Sequence, residues 1–119
     1  MKIGQIVEAL PSLQKLAAQD LSIKMLYKID KLLGKLNDEL VFYNDQRTKI
    51  FNKYCDIVGN QYQPREENIE QLNAEMGELL DTEVECDIKE VVINVNEDVK
   101  LSYNDLVQLK GFIRIEGED

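Results

Sequence analysis

Apolar positions between residues 26 and 57 alternate steps of three and four without a slip: Leu26, Ile29, Leu33, Leu36, Leu40, Tyr43, Arg47, Ile50, Tyr54 and Ile57. This is the seam of a heptad pattern, and it predicts one long helix from about Ser22 to Ile57, roughly 54 Å long. Asp20 or Ser22 is placed to cap it, because each offers a side-chain oxygen to the free amides of a first turn. Gly34 inside the helix costs on the order of 1 kcal/mol against alanine. Gly59-Asn60 and Pro64 predict the stop and the turn.

Ahead of this helix, Ile3, Ile6, Val7, Leu10, Leu13, Leu16 and Ala17 also keep helical spacing. Pro11 falls in their midst and predicts a break near Leu10, with a second short helix to about Gln19. After the long helix, Ile69, Leu72, Met76 and Leu79 predict a third helix from Glu66 to Leu80, with Glu66 and Glu67 favoured in its first turn by the helix dipole. Beyond Asp81 the period becomes two. Val84, Cys86 and Ile88, then Val91, Ile93 and Val95, alternate with mostly polar residues and predict one or two half-buried strands. Ser102 or Asn104 can cap a short helix over Leu106, Val107 and Leu109. Gly111 stops it, "FIRIE" is a last strand, and the tail from Glu116 frays.

The expected fold is α+β, mainly α. A long antiparallel, coiled-coil-like helical hairpin carries a small C-terminal β element and a short helix. One domain spans residues 1–119, with a helical part to residue 81 and a strand-rich part from 82. The third helix, only ~23 Å long, covers the seam from about Leu40 onward. The first half, Leu26, Ile29, Leu33 and Leu36, needs another cover, because an unburied leucine forgoes roughly 1.5–3 kcal/mol. Either the N-terminal segment folds back over it or a second copy does, and the expectation is a homodimer. A second strip, Met25, Leu32, Phe42 and Phe51, serves the same dimer or faces the strands. Arg47, the one charged seam position, is either a register device or a side chain whose stem packs while its head reaches water.

Charge changes the picture in one respect. Residues 1–60 carry nine Lys/Arg against seven Asp/Glu, and residues 61–119 carry five against sixteen, so surpluses of +2 and −11 make up the net −9. An acidic half repels phosphates and argues against nucleic acid as a ligand. It is either a solvated face that keeps a small protein soluble or a match for a basic protein surface, with Glu83, Glu85 and Asp87 as the exposed face of the first strand.

The chemistry is sparse. With no histidine, there is no imidazole base or ligand. The glycines form no phosphate-binding loop. Asp81, Glu83, Glu85 and Asp87 read as a solvated face rather than a set of converging metal ligands. Cys55 and Cys86 match no metal or redox spacing, which suits thiols in a reducing compartment. No apolar run approaches the ~18 residues of a membrane span. The spaced apolar residues of the N-terminus do not read as a signal peptide. The expectation is therefore no catalytic, cofactor or metal site.

The runs "IVEALPSLQKLAAQDLSIKMLYKIDKLLGKLNDEL" and "VKLSYNDLVQLKGFIRIE" resemble a family of small uncharacterised proteins from phages and prophages of Gram-positive bacteria. That family has no assigned activity or site residues. The resemblance implies a viral origin and action in the cytoplasm of a bacterial host. Two roles then follow as expectations: a structural or assembly accessory with a viral partner, or an acidic inhibitor of a host protein such as a defence or nucleic-acid-binding factor.

Overall fold

The computed structural model describes residues 1–85, 87–94 and 99–116. Among these residues, four helices and two small sheets make a mainly helical α+β fold. The elements are α1 (Ile3–Ala17), α2 (Ile23–Tyr54), β1 (Cys55–Val58), β2 (Gln61–Pro64), a 3₁₀ turn (Glu66–Asn68), α3 (Ile69–Leu80), β3 (Val91–Asn94), α4 (Tyr103–Gln108) and β4 (Ile113–Glu116). The radius of gyration is 17.3 Å and the long axis 57 Å. A compact chain of this length would have a radius near ~13 Å, so the molecule is elongated, and α2 is its spine.

The expected break at Pro11 does not occur: α1 is continuous through it. Proline removes one backbone bond and crowds the preceding turn. Here its ring lies on the exposed side, while Ile6, Ala9, Leu13 and Leu16 on the other face are fully buried. Burial of that face holds the two halves in one axis. At the start of α2 the cap is Ser22, whose hydroxyl accepts from the Met25 amide at 3.4 Å.

The far end of α2 departs from expectation. The helix stops at Tyr54, three residues short of Ile57, because Cys55 turns to extended backbone (φ −122, ψ 150). Cys55–Val58 then pairs antiparallel with Gln61–Pro64, Ile57 opposite Tyr62 and Val58 opposite Gln61. The loop is Gly59-Asn60. Gly59 takes φ +65 and Asn60 stays at negative φ, which matches a hairpin turn of type II′. The third helix likewise begins later than expected, at Ile69, after the 3₁₀ turn.

Along 83–90 the alternation survives without a strand. Val84 and Ile88 are half-buried, and Glu83, Glu85 and Asp87 are exposed, yet the only pairing among the described residues there is an isolated bridge from Glu83 to Lys2. Cys86, Val95 and the tail from Gly117 lie outside the described residues. The later strand forms as β3 and pairs in parallel with β4, Val91 opposite Ile113 and Ile93 opposite Ile115. Parallel neighbours need a crossover, and α4 lies on it. Ser102 caps α4 in a reciprocal box with Asp105 (3.1 and 3.0 Å); the helix ends at Gln108 with Leu109 as its C-cap, and Gly111, at φ +88, lies in the turn that follows.

One core joins these pieces. Ile6, Leu13 and Leu16 of α1 meet Met25, Ile29, Leu32 and Leu36 of α2, and Ile93, Leu109, Phe112 and Ile113 close the other side. The first half of the seam is thus covered within the chain, with its centre displaced. Ile29 and Leu36 are fully buried, Leu26 and Leu33 only partly, and Met25 and Leu32 of the second strip are buried more deeply than they are. Covers on two sides of α2, rather than one partner helix, account for that shift.

Candidate interaction site

Beyond Leu36, no residue of α2 is buried. α3 runs back beside this stretch, the Lys53 ammonium donating to Glu75 at 3.0 Å. At the other end of α3, the Ile3 amide donates to the Thr82 carbonyl at 2.9 Å. There α1 passes so close that a Cβ on Gly4 would lie 3.1 Å from the Leu80 carbonyl oxygen. Leu72 and Leu79 are the buried residues of α3. One twelve-residue helix cannot enclose the distal half of a helix of this length.

What remains outside is an apolar surface at the tip. The Arg47 guanidinium lies 4.4 Å from the centre of the Phe51 ring. The Phe51 and Tyr62 rings are 5.3 Å apart and inclined at 60°. Tyr62 stands opposite Ile57 in the hairpin register, so their side chains share a face. The Tyr62 hydroxyl donates to Asn52 Oδ1 at 2.9 Å, tying the hairpin to α2. Arg47, Phe51, Tyr62 and Ile57 thus form a continuous line, and Ile57 is 67% exposed. Val41 and Phe42, higher on α2, are half exposed as well.

Polar contacts anchor this end. The Lys53 ammonium is held above its usual range by Glu75 and then by the Tyr54 hydroxyl. The Glu75 carboxyl is held below its usual range by the Tyr54 hydroxyl and then by Lys53. Arg65 donates to the Lys53 carbonyl and lies 3.9 Å from Asp56. These bonds fix hairpin and helix relative to each other while leaving the apolar tip open.

The other expected site residues fall elsewhere. Leu26, Ile29, Leu33 and Leu36 belong to the core or its margin. Glu83 holds the N-terminal ammonium at 3.0 Å, so it serves the chain's own closure. Glu85 and Asp87 are exposed. Of the expected residues, Arg47 alone joins the tip. Phe51 was expected on the second strip, and Tyr62 and Ile57 come beside it only through the hairpin. Two short runs flanking the Gly59-Asn60 pair carry a hairpin signal, which the longer heptad pattern masks. Among the described residues, no three or more acidic or cysteine side chains are grouped to hold a metal ion. No helix among them is long and apolar enough to cross a membrane.

No protein-family model matches the chain, and neither curated proteins nor solved structures give a match.

Proposed function

We propose that the chain is a non-enzymatic interaction protein, an assembly accessory of a phage acting inside a bacterial host. Its distal half, a coiled-coil-like hairpin of α2 and α3, docks on another viral protein or on a second copy. The observation that carries this reading is the line Arg47, Phe51, Tyr62, Ile57, in which Phe51 is half-buried and the other three are exposed. Aromatic residues and arginine dominate the energetics of protein interfaces. A small protein gains nothing in stability from presenting Ile57 to water. The viral setting rests on the resemblance of the sequence.

The test is affinity capture from infected and uninfected host lysates with the wild type, Phe51→Ala and Ile57→Asp. A viral partner that both variants lose supports the reading. A partner captured equally well by the variants contradicts it. Light scattering on the free chain separates a homodimer, at twice the 13.8 kDa chain mass, from a monomer awaiting a partner. The second reading, an inhibitor of a basic host surface, draws on the exposed Glu85 and Asp87. It predicts capture from uninfected lysate that weakens with salt.

A further inference from the structure

A second surface lies at the opposite half of the molecule. A groove of about 360 Å³ runs between the first half of α2 and residues 89–92, lined by Tyr27, Lys28, Lys31, Leu32, Lys35, Lys89, Glu90, Val91 and Val92. Among the described lining residues, Lys28, Lys31, Lys35 and Lys89 outnumber the single carboxylate of Glu90, in a chain whose net charge is −9. Lys28, Lys31 and Lys35 follow helical spacing and so lie along one face of α2, spread over ~10 Å. Tyr27 is 58% exposed and sits under the Lys31 ammonium at 5.2 Å.

The other wall is a strand edge. Val91 and Val92 point to opposite faces of β3. A groove that touches both, and no residue of β4, lies along the outer edge of the strand. The Val91 amide donates to the Phe112 carbonyl at 2.9 Å, toward β4. In a parallel ladder the next residue turns its amide and carbonyl the other way. Val92 therefore presents both groups along the groove, and no backbone bond from them to another segment occurs among the described residues. Such an edge is a template for an added strand.

The geometry points to a binding site for an extended acidic peptide of another protein, added as a strand to β3 beneath the lysines of α2. Same-face residues of a strand are ~7 Å apart, so carboxylates at alternate positions match lysines spread over ~10 Å of helix. The residues between them point to the other face of the sheet, beside Val92, and are apolar. This site is independent of the tip and of the function proposed for it.

The probe is a fluorescein-labelled peptide alternating glutamate and valine, followed by anisotropy against the full chain. Saturable binding is expected, weakening with salt. Lys28→Glu with Lys31→Glu should weaken it about tenfold or more, since two attractions become repulsions. Both lysines are exposed, and circular dichroism verifies the fold. Lys28→Gln alone gives a smaller loss in the same direction. N-methylation of alternate peptide amides should weaken binding comparably, because it removes strand bonds and leaves charge intact. Phe51→Ala at the tip should change nothing. The proposal is overturned by absent saturation, by equal binding of the N-methylated peptide or of a lysine–valine peptide, or by tighter binding of oligothymidylate. It is also overturned if the charge reversal abolishes self-association seen by light scattering, which would make a second copy the occupant.

Discussion

The two halves of α2 carry similar apolar spacing and meet different fates. From Ile23 to Leu36 the helix buries Met25, Ile29, Leu32 and Leu36, between α1 on one side and β3, β4 and the end of α4 on the other. From Asn37 to Tyr54 it buries none, although Leu40, Tyr43, Ile50 and Tyr54 continue the pattern. A heptad seam says that a helix has an apolar stripe. How much of the stripe is covered depends on what else the chain can bring to it. Near the N-terminus of α2 the chain brings α1 to one side and the β3–β4 sheet with the end of α4 to the other, and near the C-terminus a short helix and a hairpin of two four-residue strands.

The sharpest way to break this contrast is by truncation in both halves. Leu36→Ala, fully buried, should cost about 2–5 kcal/mol in denaturant unfolding. Phe42→Ala, 45% exposed, should stay within about 0.5 kcal/mol. Leu72, 7% exposed under the distal half of α2, should fall between them at about 2 kcal/mol when cut to alanine. A Phe42→Ala loss as large as that of Leu36→Ala would show the distal half to be packed like the core.

Gly34 sharpens the comparison from the other direction. A Cβ there would meet nothing within 4 Å, so no neighbour requires the glycine. Gly34→Ala should raise stability by about 1 kcal/mol through helix propensity. Gly4→Ala should lower stability, since its Cβ would press on the Leu80 carbonyl.

The smallest effect is acid-dependent and belongs to the core end. Asp105 accepts from Lys15 (2.6 Å), Ser12 (2.8 Å) and the Ser102 amide (3.0 Å). Lys15 first, then the Ser102 amide and Ser12, hold its carboxyl far below its ordinary value of 3.8. A depressed carboxyl contributes its stability in full above the unfolded value and loses it as pH falls through the folded one. Thermal melts from neutral pH downward should therefore show Asp105→Asn less stable than wild type above about pH 4. The gap should narrow steadily in stronger acid. A gap independent of pH would mean that charge plays no part in joining α4 to α1.

Much of the fold was legible because local signals agreed with tertiary packing. Ser22 and Ser102 cap where short polar side chains precede apolar periods, and Gly111 makes the turn after α4 with the backbone that glycine permits. Legibility failed where a local rule met a stronger distant term. Pro11 argues for a break, but four fully buried neighbours on the opposite face of α1 outweigh one lost bond. Val84 and Ile88 alternate as a strand would, but β3 and β4 pair with each other farther along. The tip site was half legible. Arg47 stood out as a charge on a seam, and Phe51 lay on the second strip. Tyr62 and Ile57 reach them through a hairpin whose four-residue strands are too short to outweigh the heptad reading.

Hydrogen exchange of the free chain, read residue by residue along α2, tests the two-part account most directly. Amides buried in a cooperative core exchange only on global unfolding, and those of thinly covered elements through local opening. The account predicts that amides from Ile29 to Leu36 exchange at the global limit. Those from Val41 to Tyr54, together with the β1–β2 hairpin, should exchange through a lower-energy opening. Uniform protection along all of α2 would contradict it, and the distal half would then be part of one core rather than a thinly covered arm.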